Sequence, residues 1–120
     1  MIFITGGRSQ GKRAYAERTI GPAAECIYDY QDRVRALMAE GIDPEAFTAQ
    51  FLDAHPDVVI VMDEVGSGIV PIEAEERVWR EACGRCGCLI AARADAVVRL
   101  VCGIPVVIKG KDPAGSRTAE

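Results

Sequence analysis

Glycines and a lysine near the start of the chain have the spacing of a phosphate-binding loop. Gly6 is followed by four residues and then by Gly11 and Lys12, between a short apolar run and a segment of helical composition. Glycines let successive backbone N–H groups turn inward at the positive end of a helix, and the lysine reaches the terminal phosphates. We predict ATP or GTP as the ligand and Lys12 as a catalytic residue. The predicted nucleotide-binding residues are Gly6, Gly7, Arg8, Ser9, Gln10, Gly11, Lys12 and Arg13.

The residue after Lys12 departs from the usual pattern of such loops. That position normally carries Ser or Thr, whose hydroxyl binds Mg²⁺ while the metal bridges the β- and γ-phosphates. Here it is Arg13, which cannot bind a metal and whose charge takes over part of the same electrostatic role. Nucleotide binding is compatible with this change, but we expect it to impair metal-assisted phosphoryl transfer. Mg²⁺ as a cofactor is left open.

Two acidic residues follow the most apolar stretch of the chain. Asp63 and Glu64 come directly after residues 58–62, a β-branched run typical of a parallel strand buried on both faces. Carboxylates at such a strand end resemble a Walker-B pair, in which one holds Mg²⁺ through water and the other orients or deprotonates a nucleophile. We predict that Asp63 and Glu64 are catalytic. The alternative is a pair of acidic residues where a strand ends in solvent.

The rest of the sequence supplies the elements that must position these residues. The predicted strands are residues 1–5, 26–28, 58–62, 96–102 and 105–109. The predicted helices are residues 13–20, 31–40 and 44–54, and a long helix that starts at Pro71 and buries Val78, Trp79, Ala82, Cys83, Cys86, Leu89 and Ile90. Only Gly103 and Ile104 separate the last two strands, which predicts an antiparallel hairpin at one edge. The order predicts an α/β fold with a mainly parallel sheet.

Length and charge exclude several classes of function. The chain has 120 residues, 49% of them hydrophobic, which suits one domain with a single core. Its formal net charge of −4 opposes general attraction to nucleic acid or to anionic membranes, and no apolar run approaches the length of a membrane span. We expect a cytoplasmic protein with one domain over residues 1–109 and a flexible tail over residues 110–120. An exposed strand edge would favour a homo-oligomer.

Cysteine and histidine residues are further candidates for chemistry. An odd number of cysteines, five, in a chain without an evident export signal predicts reduced thiols. Cys83, Cys86 and Cys88 form CxxCxC inside the predicted long helix, where Cys88 points away from the other two. We therefore predict small apolar thiols there and no metal site. His55 precedes Pro56 at a helix-to-strand turn, and we interpret it as a surface residue.

Three stretches together resemble one known family. They are residues 3–12 (FITGGRSQGK), residues 63–71 (DEVGSGIVP), and Gly84-Arg85 through the edge strands to residues 103–106 (GIPV). They are similar to the bifunctional adenosylcobinamide kinase/adenosylcobinamide-phosphate guanylyltransferase family of cobalamin assembly. The second stretch is the most specific because it is long and is not a generic nucleotide motif. The resemblance covers residues 1 to about 20 and 57–109.

The resemblance implies a fold, two reactions and an assembly. The fold is a RecA-like P-loop fold, often assembled as a homotrimer. The reactions are phosphorylation of the aminopropanol hydroxyl of adenosylcobinamide, a corrinoid, and then GMP transfer from GTP through a guanylylated histidine. Carried over to this chain, residues 6–12 would cradle the nucleotide phosphates and residues 64–71 would form a loop at the site.

The middle of the chain departs from the family pattern. Typical members have a longer central region that contains the GMP-accepting histidine, whereas residues 21–56 are a short helical stretch and His55 does not match that position. We therefore expect guanylyltransfer by the family route to be absent. Three hypotheses remain: a shortened kinase-type relative, a non-catalytic nucleotide-binding or regulatory protein, and a scaffold that has lost nucleotide binding.

Overall fold

Short apolar runs of the sequence form strands, and the segments between them form helices. The computed structural model of the protein describes residues 1–21, 24–65 and 73–115. Its strands are β1 (Ile2–Gly6), β2 (Cys26–Ile27), β3 (Val59–Asp63), β4 (Ala96–Val101) and β5 (Ile104–Lys109). Its helices are α1 (Lys12–Ile20), α2 (Tyr30–Ala39), α3 (Pro44–Ala54) and α4 (Ala74–Arg93).

The strands form one sheet in the order β2-β3-β1-β4-β5. β1 lies in the centre and is parallel to β3 and β4, β2 is parallel to β3, and β5 is antiparallel to β4. Gly6 at the end of β1 is opposite both Asp63 and Leu100, so the carboxyl ends of three strands meet at one edge. This confirms the predicted α/β fold with a mainly parallel sheet and an antiparallel edge hairpin.

Alternate side chains of β3 enter two separate cores. Val59 and Val61 face α1, whereas Ile60 and Met62 face α2, α3 and α4. Burial on both faces explains why this apolar run is uninterrupted. The core of the α1 face consists of Ile4, Tyr15, Ala16, Val59, Val61, Val98 and Leu100. The larger core of the opposite face includes Phe3, Val34, Leu52, Ile60, Met62, Ala82, Cys86, Ile90 and Val97.

Polar contacts join α2, α3 and α4 into one layer. The buried hydroxyl groups of Tyr30 and Thr48 lie 2.6 Å apart, so that each of them has a hydrogen-bond partner inside the core. On the surface, Nε of Arg85 donates to a carboxylate oxygen of Glu45 at 2.8 Å. The layer is thus held by directional bonds as well as by apolar packing.

The C-terminal end of α2 and the N-terminal end of α3 lie at the predicted capping residues. Gly41 adopts φ 74°, the left-handed conformation expected just after a helix. Asp43 accepts a hydrogen bond from the N–H of Glu45 at 3.0 Å, and Pro44 is the first residue of α3. Both predicted boundaries are confirmed, because capping depends on a few adjacent residues.

The edge hairpin turns one residue earlier than its sequence suggests. We expected Gly103 and Ile104 between the strands, but the turn is Cys102–Gly103, with φ values of 50° and 79°. Among two-residue hairpin turns, type I′ has positive φ at both central residues, as Cys102 and Gly103 do here, and Ile104 then pairs with Val101. β5 leaves Ile104 and Ile108 largely exposed at the edge of the sheet.

The helix α4 differs in part from its prediction. Val78 was expected in the buried stripe but is 49% exposed, while Ala82, Cys83, Cys86 and Ile90 are buried as predicted. The stripe that packs on the sheet is therefore narrower than the apolar composition suggests. The predicted start at Pro71 is too early, because Glu73 is the extended N-cap and the first helical residue is Ala74; Pro71 itself lies outside the described residues. Residues 116–120 of the predicted flexible tail lie outside them as well, and that tail stays a prediction.

Candidate functional site

The loop between β1 and α1 needs glycine at two positions for steric reasons. Gly6 has φ 149°, and a Cβ atom there would lie 2.6 Å from the carbonyl oxygen of Leu100. Gly11, the N-cap of α1, has φ 93°, and a Cβ atom there would lie 3.3 Å from the Cα atom of Gly103. The chain therefore reverses close to β4 and the hairpin turn, and it points the amino end of α1 at the edge of the sheet.

Two hydrogen bonds tie this loop to the edge hairpin. The N–H of Gly103 donates to the backbone oxygen of Gln10 at 2.9 Å, and the N–H of Cys102 donates to Oε1 of Gln10 at 2.7 Å. The hairpin turn thus fixes the second half of the loop. Sequence reasoning missed this contact, since it joins residues more than ninety positions apart.

Lys12 and Asp63 form the central ion pair of the site. Nζ of Lys12 lies 2.7 Å from Oδ1 of Asp63 and donates to the carbonyl oxygen of Gly7 at 2.6 Å. The lysine side chain is only 7% exposed, so the pair is well shielded from water. The N–H of Asp63 donates to Oε1 of the buried Gln31 at 2.9 Å, which positions the end of β3. The role of Gln31 had no signal in the sequence.

Arg13 lies at the mouth of the same site without a close ion pair. Its guanidinium carbon is 3.8 Å from the centre of the Tyr28 ring, which is cation–π geometry. Its nearest carboxylate oxygen belongs to Asp29, at 3.9 Å, and the arginine side chain is 58% exposed. Asp29 has φ 55° at the N-cap of α2, an uncommon conformation for a residue other than glycine.

A cavity of about 290 Å³ opens in front of the loop. Three cationic side chains and two carboxylates line it, so positive charge exceeds negative charge there although the whole chain is acidic. The cavity also faces the amino end of α1, where the helix dipole favours anions. These features suit a phosphate-bearing ligand. The lining residues are Arg8, Ser9, Gln10, Gly11, Lys12, Arg13, Ala14, Tyr28, Asp29, Val61 and Asp63.

Glu64 lies on the opposite face of the sheet from this cavity. It forms a two-bond ion pair with Arg99, with Nε 2.8 Å from Oε2 and the second nitrogen 3.1 Å from Oε1. Hydrogen bonding to Glu64 raises the pKa of Arg99 further above its already high value. Of the three predicted catalytic residues, the structure therefore brings Lys12 and Asp63 together and places Glu64 apart from them.

A second cavity, of about 320 Å³, lies between the sheet and α4. Its walls are mainly apolar, and Gly84 and Gly87 leave space that a larger side chain would fill. Asp63 lines both cavities, since the end of β3 separates them. The full lining is Phe3, Thr5, Met62, Asp63, Glu64, Val65, Cys83, Gly84, Gly87, Cys88 and Ala91.

The cysteines of α4 and the single histidine lie apart from the loop. Cys83 and Cys86 are buried and Cys88 is exposed, so the three thiols face different surroundings. Burial raises the pKa of Cys83 to about 12, which keeps the thiol protonated at neutral pH. His55 stacks on Phe51 with ring centres 4.3 Å apart and lies at the surface, as predicted.

The mainly parallel sheet, with a glycine-rich loop after its central strand, has the architecture of a P-loop fold. The profile of the cobinamide kinase / cobinamide phosphate guanyltransferase family matches residues 24–108. The chain belongs to this family of cobalamin biosynthesis. It is also similar to the bifunctional adenosylcobalamin biosynthesis protein CobU of Escherichia coli (strain K12), with 38% identity over 82 residues. That alignment covers 68% of this chain and 44% of the relative, so the chain spans less than half of the relative's length.

The range of the family match bears on two expectations, the one for the middle of the chain and the one for the glycine-rich loop. It includes residues 24–56, which the sequence analysis placed outside the resemblance, so the short middle is part of the family match. The glycine-rich loop, residues 6–12, precedes the matched range, and its assignment rests on the contacts described above. In the described part of the chain, no helix has the length and apolar character needed to cross a membrane.

The residues around the loop do not fit the Mg²⁺ ion that P-loop proteins use. Arg13 stands where the metal-binding hydroxyl would be, and Asp63 is already paired with Lys12. Glu64, the next carboxylate along the chain, is paired with Arg99 on the other face. Within residues 1–21, 24–65 and 73–115, no group of three or more His, Cys, Asp or Glu side chains has an arrangement that could hold a metal ion.

Proposed function

We propose that this chain binds ATP or GTP through residues 6–13 and acts in corrinoid metabolism. The observation that carries the proposal is the cavity at the amino end of α1, where Arg8, Lys12 and Arg13 converge. Charge-assisted hydrogen bonds from these side chains would add to those of the loop N–H groups. Family membership supports the corrinoid context, and free thiols throughout support a cytoplasmic location.

The buried ion pair prepares Lys12 for this role. Because Asp63 and the carbonyl oxygen of Gly7 hold Nζ at 2.7 and 2.6 Å, the ammonium group is fixed before a ligand arrives. An anion that enters the cavity meets a positioned donor, so less side-chain entropy is lost on binding. The same contact neutralises Asp63, which would otherwise repel phosphate.

Phosphoryl transfer to a corrinoid alcohol such as adenosylcobinamide is a second candidate function. It is favoured by the position of Asp63, which lines the cationic cavity on one side of β3 and the apolar cavity on the other. A nucleotide in the first cavity and an alcohol in the second would meet at this carboxylate. Guanylyltransfer is not part of the proposal, since His55 contacts Glu25 and Phe51 away from both cavities.

Titration calorimetry with ATP and with GTP tests the proposed binding. We expect one site per chain, and we expect Lys12→Ala to weaken binding by about 1.5–3 kcal/mol, which is roughly 10- to 100-fold. Lys111→Ala, at an exposed lysine outside the cavity, is the matched control and should bind as the unaltered chain does. Thermal unfolding checks that each variant folds. If Lys12→Ala does not fold, Arg8→Ala tests the same site at an exposed position.

Absence of binding to either nucleotide would refute the proposal and leave the scaffold hypothesis. If binding is present, transfer of the terminal phosphate of ATP to adenosylcobinamide separates the remaining two. Labelled product supports the kinase-type function, and loss of that product in Asp63→Asn ties it to the shared carboxylate. Binding without transfer identifies a non-catalytic nucleotide-binding or regulatory protein.

A further inference from the structure

We infer that the site takes the nucleotide as a free polyphosphate anion, without Mg²⁺, and that Arg13 supplies the charge that a metal would bring. The inference rests on the proposed nucleotide binding and specifies the ligand form of that site. It is carried by the three positions at which a P-loop site would supply metal ligands: the residue after Lys12 and the two acidic residues at the end of β3. In this chain each of them is an arginine or is paired with a cation.

The first of these positions is occupied by a cation itself. Arg13 follows Lys12 in the first turn of α1 and lines the cavity in place of a hydroxyl group. A guanidinium carries a permanent charge and repels Mg²⁺ instead of binding it. The substitution therefore removes a metal ligand and also adds a like charge beside the place where a metal would lie.

The other two positions hold carboxylates that already have partners. Asp63 lies 2.7 Å from Nζ of Lys12, and Glu64 makes two bonds to Arg99 at 2.8 and 3.1 Å. Recruiting Asp63 to a metal would leave a shielded lysine without its counter-charge, which is costly. Recruiting Glu64 would require it to leave Arg99 and cross to the other face of the sheet.

Within the described part of the protein, Arg13 has fewer polar contacts than Lys12 and is therefore available to bind a polyphosphate. Its contacts among the described residues are the stack on Tyr28 and the 3.9 Å approach to Asp29, and no hydrogen bond to a described residue uses its N–H groups. The Tyr28 ring lies against the guanidinium group, and both side chains line the cavity. Such a planar group binds phosphate oxygens in pairs, which adds direction to charge.

Calorimetry in two buffers tests the inference, one with EDTA and one with excess Mg²⁺. We expect the unaltered chain to bind ATP in EDTA with a Kd equal to or lower than in Mg²⁺, because the arginine competes with the metal. We expect Arg13→Ser, which restores the usual hydroxyl, to bind ATP in EDTA tenfold or more weakly, by about the strength of a charged hydrogen bond. Its binding should then improve when Mg²⁺ is added.

Matched variants separate charge from structure. Arg18→Ser changes an exposed arginine that also lies over a tyrosine ring, at 5.6 Å, on the same helix but outside the cavity, and should leave both affinities unchanged. Arg13→Lys keeps the charge and should recover most of the binding in EDTA. The inference is overturned if the unaltered chain binds ATP only with Mg²⁺. It is also overturned if Arg13→Ser binds ATP in both buffers with the affinities of the unaltered chain. Absence of binding in both buffers contradicts the proposed function instead.

Discussion

The two faces of the sheet differ in the size of their cores and in the position of the charged cavity. On one face, the nine-residue helix α1 covers a small core and leaves a charged cavity open beside it. On the other face, α2, α3 and α4 bury a larger core and are joined by hydrogen bonds and ion pairs. The contrast indicates that the second face, here called the thick face, supplies most of the stability, whereas the first, the thin face, holds the proposed nucleotide site. Binding loops commonly belong to the less stable parts of a structure.

Truncation of one isoleucine on each face tests this division with the largest expected effect. Ile90 of α4 and Ile4 of β1 are both fully buried. We expect Ile90→Ala and Ile4→Ala each to lower the free energy of unfolding by about 2–5 kcal/mol, since each leaves a cavity in a core. Urea denaturation measures this loss. We expect only Ile4→Ala to weaken nucleotide binding, because β1 leads directly into the loop.

A nucleotide affinity that falls equally in both variants would show that the two faces act as one unit. Affinity is compared well below the midpoint of unfolding, so that both variants are folded during the measurement. Retained affinity in Ile4→Ala would show instead that the loop is held by the hairpin and not by the strand beneath it.

A glycine pair tests the contact between the loop and the hairpin with an intermediate effect. Gly103 and Gly41 have φ values of 79° and 74°, and a Cβ atom at either would meet nothing within 4 Å. Alanine at either position should therefore cost about 1–2 kcal/mol of stability from backbone strain alone. We expect only Gly103→Ala to weaken ATP binding, because its N–H holds Gln10. Calorimetry beside thermal unfolding gives both quantities, and equal ATP affinities would rule out the hairpin as a support of the loop.

Alkaline pH should lower the free energy of unfolding through the thick face, and this is the smallest of the expected effects. Burial raises the pKa of Cys83 from 9.0 to about 12 and raises that of Cys86 as well. Between these limits the unfolded chain loses thiol protons that the native chain keeps, so the contribution of these thiols to the free energy of unfolding is constant below about pH 9 and falls as pH rises towards 12. Urea midpoints at pH 8 and pH 10.5 measure the slope, which should shrink in Cys83→Ala. An unchanged slope would show that this thiol does not contribute.

Local patterns made much of the fold predictable from the sequence. The apolar run of β3, the capping residues Gly41 and Asp43, and the glycine spacing before α1 each depend on a few neighbouring residues. The hairpin was predicted in kind but shifted by one residue. Its register depends on which backbone conformation Cys102 accepts, and side-chain preference alone does not fix that.

The candidate site was only partly predictable, since it depends on contacts between distant segments. The bonds from Gln10 to the hairpin and from Gln31 to Asp63 join different elements and have no signature in either segment. The separation of Asp63 from Glu64 had a signal, because successive side chains of a strand point to opposite faces. Treating them as one catalytic pair overlooked that alternation. The family assignment did not depend on either point.

The close approach of Gly6 to the carbonyl oxygen of Leu100 has a consequence for comparing sequences. A methyl group at that position collides with the backbone of the neighbouring strand whether or not any ligand is present. A homologue that bound no ligand at this loop would therefore still need the glycine for this packing. Variation at Arg8 and Arg13, which are exposed and have no comparable steric constraint, is the better guide to which homologues keep the proposed polyphosphate site.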